Sequence, residues 1–395
     1  MGHQRVFRMV GMPSSTSPPA VDLLVLGATV AGVTAAVAAA RRGARVMLLD
    51  SRPQTSFGLG LASLGQGDQL REIELHRGGV AVQTYVDQTR SATGWLEREL
   101  AAQQVQMARR TAASIAVDGH LAFHLVQESR LLRSCGEQVS VTDRQLLPFP
   151  VRPALQLANQ ALVDPDQHQR ALLRAAAEAG ATVERSTPAR RFWQSQGWQV
   201  RYGADATRTV HAAQVLDTVG VSPWGQVGFA GLLRAAPVVW TSPLPDLDQV
   251  CVLVDTPAAL LLPQPDRLVV VGRAVPVGQE PTAVDHLLAW VEQHLPVAVQ
   301  QSATRYLEMT SDRLPVVGRL PLPGAWVARG FGAFETTSAT AAGLQVAAAV
   351  THQAPLPWAP ARLPHGLRAK VSRWVGPHSD PMVGVPGVLA GRGLA

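Results

Sequence analysis

Residues 21–52, VDLLVLGATVAGVTAAVAAARRGARVMLLDSR, constrain the fold more than any other part of the chain. Val21 and Leu23 to Leu26 form a nearly continuous apolar run, the pattern of a strand buried on both faces. Gly27 ends the run. Gly32 falls in the first turn of an alanine-rich helix that Gly43 closes, and Val46 to Leu49 make a second strand with Asp50 at its tip. Strand, glycine turn, helix, strand and acid in this order describe a dinucleotide-binding βαβ unit. The helix start offers free N–H groups and partial positive charge to a pyrophosphate. Asp50 offers a carboxylate to ribose hydroxyls. The Gly-x-Gly-x-x-Gly pattern is met only at its ends, because Thr29 stands where the middle glycine lets the backbone approach the phosphates. Its Cβ pushes a cofactor outward or shifts the turn, so a βαβ unit that holds no nucleotide is the competing reading.

A chain of 395 residues has room for two or three domains. Hydrophobic residues make up 47% and charged residues 16%, which suits a well-packed α/β enzyme. No run of about 18 apolar residues occurs, so no membrane span is expected. Residues 1–20 lack the apolar stretch of a secretion signal. They read as a disordered lead-in, or as sequence ahead of a start at Met12, and the cytoplasm is the expected compartment. Cys135 and Cys251 are isolated, which argues against a redox disulfide, an iron–sulfur cluster or a cysteine-based zinc site. His120 and His124 stand four apart with no third ligand evident, so no metal is expected.

The net charge of +6 raises the question of nucleic acid. Lys370 is the only lysine, however, and the arginines are spread along the chain rather than gathered into a stripe. Nucleic acid is therefore not the expected partner. The first 369 residues also hold no lysine for a Walker-type phosphate loop or a Schiff base.

The rest of the chain alternates. Residues 69–109 read as mostly helical, with short strands expected around Ser114–Val117 and Leu121–Leu125. Asp164 and Pro165 start a helix running to Ala179 that Gly180 ends. Strands follow at Ala181–Arg185, Phe192–Tyr202 and Thr209–Leu216. From Trp224 to about Tyr306 a second, more antiparallel unit is expected, with strands at Pro237–Thr241, Val250–Val254, Leu260–Leu262 and Leu268–Gly272. It also holds a helix over Thr282–His294 and a strand near Thr304–Met309. Ala325–Ala328 is a strand, Gly330-Phe331-Gly332 a turn, and Thr337–Val350 a small-residue helix. The tail from Gly376 reads as disordered.

Four ordered segments over residues 21–350 resemble the FAD-dependent amine and D-amino-acid oxidase family, which includes glycine oxidase, D-amino-acid dehydrogenase and sarcosine oxidase. They are the βαβ unit; Leu162-Val163-Asp164-Pro165 with its helix and Gly180-Ala181-Thr182-Val183; Val215-Leu216-Asp217-Thr218-Val219-Gly220; and Thr310-Ser311-Asp312-Arg313-Leu314-Pro315-Val316-Val317-Gly318 followed by Gly330-Phe331-Gly332 and a helix. The resemblance implies an α/β fold. A Rossmann-like FAD-binding domain (21–82, 154–222 and 310–352) is interleaved with a mostly antiparallel substrate domain (83–153 and 223–309). It implies FAD held at the pyrophosphate by Gly27, Ala28, Thr29, Val30, Ala31 and Gly32, at the adenosine by Asp50, Ser51, Arg52 and Ala189, and at a second phosphate-side turn by Thr218 and Gly220. Leu61, Ala62 and Ser63 correspond to the loop passing the isoalloxazine. Gly330, Phe331, Gly332, Thr336 and Thr337 correspond to the turn and helix start at its pyrimidine end. With no cysteine or histidine in these segments, the flavin is expected to be non-covalent.

The implied activity is oxidation of a C–N bond in an amino acid or amine by hydride transfer to flavin N5, on a small-molecule substrate, with oxygen or another acceptor taking the electrons. Amino-acid-oxidising relatives place an arginine just before the T-x-D segment to clamp the substrate carboxylate. Here Leu307 and Glu308 stand there, and Arg305, two residues away on the same strand face, is either the clamp or part of a surface ion pair. Arg273 is a second clamp candidate. Glu308 and Glu335 are acids in place for a cationic amine, or a solvated face. Phe331 and Phe334 wall the pocket or pack the core. Two alternatives stay open. GFGAFETTSATAA (330–342) is similar to the oxidoreductase half of the tRNA wobble-uridine-modifying enzyme, and Thr29 with the absent arginine suits a degenerate flavin fold without FAD.

Overall fold

The computed structural model describes residues 19–50, 58–116, 119–143, 147–151, 154–195, 197–219, 233–254, 259–320, 322–352, 356 and 358. Among them the strands form two sheets. The first contains β1 (Ala20–Leu26), β2 (Val46–Leu49), β7 (Thr182–Glu184), β8 (Ala189–Ser195), β9 (Gly197–Tyr202), β10 (Arg208–Asp217), β17 (Val316–Arg319) and β18 (Ala325–Arg329). The second contains β3 (Leu61–Ala62), β4 (Ala108–Ile115), β5 (Val139–Thr142), β6 (Ala154–Leu162), β11 (Leu233–Thr241), β12 (Val250–Leu253), β13 (Ala259–Pro263), β14 (Leu268–Gly272), β15 (Val275–Pro276) and β16 (Val299–Glu308). The helices are α1 (Val30–Ala40), α2 (Gln69–Arg77), α3 (Gly79–Ala102), α4 (Gly119–Ser134), α5 (Pro165–Glu178), α6 (Glu280–His294) and α7 (Glu335–His352).

The first sheet runs β17-β18-β10-β1-β2-β7, parallel except for the β17–β18 pair, with β9 and β8 branching antiparallel from the start of β10. The period of two sorts its side chains. Leu23, Val25, Val46, Leu48 and Leu216 face α1, α5 and α7, while Leu24, Leu26, Met47, Leu49 and Val215 face Trp198, Val200 and Tyr202. The second sheet runs β15-β11-β14-β13-β12-β4-β6-β3, with β16 on β11 and β5 on β6. Only its β12–β4 pair is parallel among the described strands. One face, with Val239, Leu261 and Val270, packs on Leu287 and Val291 of α6. The opposite face, with Val238, Leu260, Val269 and Val271, looks toward Leu59, Leu61 and Phe334.

Helix ends follow local chemistry. The Asp164 carboxylate accepts from the Gln167 amide at 2.8 Å and caps α5, with Pro165 in the first turn. Asp68 places no side-chain cap on α2; instead the buried Glu128 of α4 reaches across and accepts from the amides of Leu70 and Arg71 at 3.0 and 2.8 Å. No helix among the described residues is long and apolar enough to cross a membrane.

Several sequence expectations are corrected. Leu121–Leu125 lies inside α4, so its apolar run follows the helical period rather than the strand period. Phe192–Tyr202 falls within a hairpin, β8 and β9, bent at Gly197 with φ of +104°. The strand β6 went unforeseen, because its ALQLANQAL run is interrupted by polar residues. The sheets also cut the chain elsewhere than the expected domain limits. β3 and β6, inside 21–82 and 154–222, hydrogen-bond into the second sheet, and α3, largely inside 83–153, packs on α7 and α5. Residues 1–18 of the expected lead-in and the tail at 376–395 lie outside the described residues.

α1 and α7 cross closely. A Cβ on Gly343 would stand 2.6 Å from the Ala31 carbonyl oxygen and 2.7 Å from the Thr34 Cβ, both fixed in α1. Gly343→Ala is expected to lower stability by about 1–3 kcal/mol through overpacking, read as a fall in Tm; an unchanged Tm would show that the crossing has slack.

His168 is fully buried on α5, and burial pushes its imidazole down to about 3. The unfolded chain takes up that proton near the ordinary pKa of about 6.5, so it binds more protons than the fold below that pH. Stability is therefore lost as pH falls from 6.5 toward 3. His168→Leu should cut the loss between pH 7 and 4.5 by about 2 kcal/mol, read from urea midpoints. Parallel curves for the two proteins would refute it.

Candidate active site

β1 ends at Gly27, whose φ of +100° suits glycine. A Cβ there would meet the Val219 side chain at 2.4 Å. A Cβ on Gly32 would meet the Gly27 carbonyl oxygen at 2.1 Å, so both glycines are needed for α1 to start this close to the strand. Thr29 between them has φ −75° and ψ 169°, ordinary extended backbone, and its Oγ1 accepts from the Gly32 amide at 3.1 Å. The threonine is thus the N-cap of α1. Its hydroxyl uses the third amide of the helix and leaves the first turn otherwise built as expected.

Asp50 is fully buried at the tip of β2 and accepts from the Ala28 amide at 3.4 Å. The Thr187 amide donates to the Asp50 carbonyl at 2.7 Å, which brings the segment leading into Ala189 beside it. Thr218 donates to the Leu26 carbonyl at 2.9 Å and to the Gly27 carbonyl at 3.2 Å, closing the turn from behind. Gly27 to Gly32, Asp50 and Thr218 therefore meet at one place. Ser51, Arg52 and Gly220, also expected there, lie outside the described residues.

A second group meets at the start of α7. Gly58 packs so close that a Cβ on it would stand 2.9 Å from the Thr336 Oγ1. Leu61 and Ala62 form β3, and the Ser63 hydroxyl accepts from the Gly65 amide at 2.8 Å, staying within its own turn. Gly330 and Gly332 both have positive φ, and Gly332–Phe334 is a 3-10 turn that feeds α7. Thr337 and Ser338 turn their hydroxyls back onto the Phe334 carbonyl at 3.4 and 2.9 Å. The Thr336 hydroxyl, in the first turn of α7, is buried with no hydrogen-bond partner among the described residues. Phe331 packs on the core under the first sheet, and Phe334 on the inner face of the second. With Tyr85, Gln69, Met309 and Arg313 they border a cavity of about 60 Å³. The Tyr85 hydroxyl donates to the Gln66 Oε1 at 2.7 Å.

The acids expected to await a cationic amine are in ion pairs. Arg305 of β16 donates to the Gly58 carbonyl at 2.7 Å and to the Glu335 Oε2 at 3.1 Å, with both side chains 15% exposed. Arg305 is therefore neither free nor at the surface, and burial lowers its pKa against the pull of Glu335. Its Nε has no partner among the described residues. Glu308 binds Arg329 through both carboxylate oxygens. Burial works against the Arg329 charge, but Glu308 and Asp217 outweigh it and raise the pKa. Arg273 is exposed beyond the end of β14.

Arg329 escaped the sequence reading. Its signal was a lone charge ending the apolar strand AWVAR, directly before the glycine turn. Asp312 of the T-x-D segment is likewise an anchor, paired at 2.9 Å with Arg77 of α2.

The glycine cradle, the buried Asp50 beside it and the orphaned Thr336 hydroxyl at a helix start fit a long, phosphate-containing cofactor such as FAD. Comparison with known proteins agrees. No curated protein matches the chain. Among solved structures, glycine oxidase from Geobacillus kaustophilus superposes with a TM-score of 0.68 at 19% identity, covering 88% of this chain and 100% of that one. L-proline dehydrogenase from P. horikoshii gives 0.67 at 16%, covering 86% and 95%. Iminodiacetate oxidase from Chelativorans sp. BNC1 gives 0.65 at 20%, covering 88% and 98%. These likenesses establish the fold. The FAD dependent oxidoreductase family (DAO) matches residues 22–349, which is most of the chain, and the protein belongs to that family of FAD-dependent oxidoreductases.

Proposed function

We propose that the protein oxidises the C–N bond of an amine or amino acid, with hydride passing to the flavin. The observation that carries this reading is the junction at the start of α7. There Gly58 of the isoalloxazine-side loop, the orphaned Thr336 hydroxyl and the inner face of the second sheet come together. FAD, when bound, supplies the two-electron acceptor that takes a hydride from the carbon beside nitrogen. The solved structures named above are a glycine oxidase, an L-proline dehydrogenase and an iminodiacetate oxidase, which supports the substrate class.

The residues of this chain have distinct tasks. Gly27 to Gly32 and Asp50 hold the dinucleotide end, with Thr218 bracing the turn. Glu335 to Thr337 begin a helix of 18 residues whose positive end favours the negative charge that the flavin gains on reduction. Thr336 has a hydroxyl to offer it. The apolar inner face of the second sheet excludes water and orients the C–H bond, which is most of what hydride transfer asks of a protein. No dedicated base is required for an amine that arrives neutral.

The purified protein should show flavin absorbance bands. Anaerobic addition of pooled D-amino acids, glycine, sarcosine or amines should bleach them with at least one pool. A protein that holds FAD and bleaches with none of them would refute amine oxidation. Gly32→Ala should retain helical circular dichroism but hold about a tenth of the wild-type FAD or less, because the added Cβ drives Gly27 and the helix start apart. Wild-type FAD content in that variant would show that the cofactor sits elsewhere.

A further inference from the structure

We propose that a second cavity, on the second sheet and apart from the one at Phe331 and Phe334, binds a free zwitterionic α-amino acid. Its volume is about 440 Å³, within the roughly 300–1,000 Å³ of small-molecule sites. The two cavities share no lining residue. In strand order β4, which carries this one, stands five spacings from β16, or about 24 Å from the strand of Arg305. A break in the β4–β6 ladder shapes the site. Arg110 pairs with Gln160 and Ala112 with Leu157, so Thr111 of β4 stands against two residues of β6, Ala158 and Asn159. Asn159 absorbs the extra residue with a φ of +61°, a conformation asparagine tolerates better than most side chains. Asp248 and Gln249 close the cavity from the segment that enters β12, the strand beside β4.

The lining is polar throughout, and its charges are unevenly used. Arg109 belongs to the wall: it donates to the Asn159 carbonyl at 3.0 Å and pairs with Glu97. Arg110 is available. Its Nη1 reaches only the neighbouring Arg109 carbonyl, at 3.4 Å, and its Nε is buried with no hydrogen-bond partner among the described residues. Nε and Nη2 together form the side of the guanidinium that takes a carboxylate in two bonds. Asp248 is exposed and makes no ion pair or hydrogen bond among the described residues. Gln156 donates to the Gln249 Oε1 at 2.9 Å, which leaves the Gln156 oxygen and the Gln249 amide nitrogen to accept and donate. A simple anion here is drawn to Arg110 and repelled by Asp248, and a simple cation meets the reverse. A ligand with carboxylate and ammonium on one carbon satisfies both charges, and the two amides serve its remaining polar atoms.

The probe is 2-aminoisobutyrate, a zwitterion with no hydrogen on the carbon beside nitrogen, so a flavin cannot take a hydride from it. Isothermal titration of the wild-type holoenzyme should show saturable binding. Isobutyrate and isopropylamine, which carry one charge each, should bind at least about tenfold more weakly. Asp248→Asn and Arg110→Gln should each weaken 2-aminoisobutyrate by about tenfold or more, with FAD content and Tm unchanged. Asp248 is exposed, so its variant carries the test if Arg110→Gln fails to fold. Absence of binding to wild type, or isobutyrate binding as tightly as the zwitterion, would overturn the proposal. Wild-type affinity in either folded variant would overturn it as well, and would place the probe at another site.

Discussion

The close crossing of α1 and α7 is the contact on which the rest of the molecule depends. Gly343 lets the backbones approach, and the alanine-rich faces of both helices leave nothing between them. That crossing places the start of α7 about two turns beyond the start of α1. The glycine turn at the end of β1 and the glycine turn before α7 thereby become two stations along one side of the first sheet. Both helices point their positive ends toward the same region, which is the electrostatic requirement of a long anionic cofactor whose far end also gains charge.

Charge inside the site is handled by pairing. The inner face of the second sheet is largely apolar, yet Arg305 and Arg329 stand at or beside it, each matched with a glutamate from another segment. Such pairs add little net stability, because desolvation offsets most of the Coulomb gain, but breaking one strands a buried charge. Their value here is positional. Arg305 links residues on β16, on the loop at Gly58 and on α7 in one contact, and Arg77–Asp312 does the same for α2 and the segment before β17. Asp312, in the T-x-D segment, thus holds together segments far apart in the chain.

Thr29 shows how a departure from a motif is absorbed. The middle glycine of the pattern is not required here for backbone conformation, since the residue has ordinary extended angles. The side chain turns inward and caps the helix it begins. A motif read letter by letter treats this substitution as a defect. In the folded turn it is a helix cap on an otherwise intact cradle.

What the sequence determined by itself was local and periodic. The strand–glycine–helix–strand–acid order, the Asp164 cap and the long alternation of the second sheet all depend on interactions within a few residues, so spacing alone revealed them. The interleaving was implied by the family resemblance that the ordered motifs carry, but β6 and the hairpin at Gly197 were not legible, because polar interruptions hide a strand whose partners lie far along the chain. The tertiary structure alone decided which charges meet. Arg305 and Glu335 are 30 residues apart, and Arg77 and Asp312 are 235 apart. No spacing rule links them, because burial beside an apolar sheet, which only the folded chain creates, is what forces each charge to find its partner.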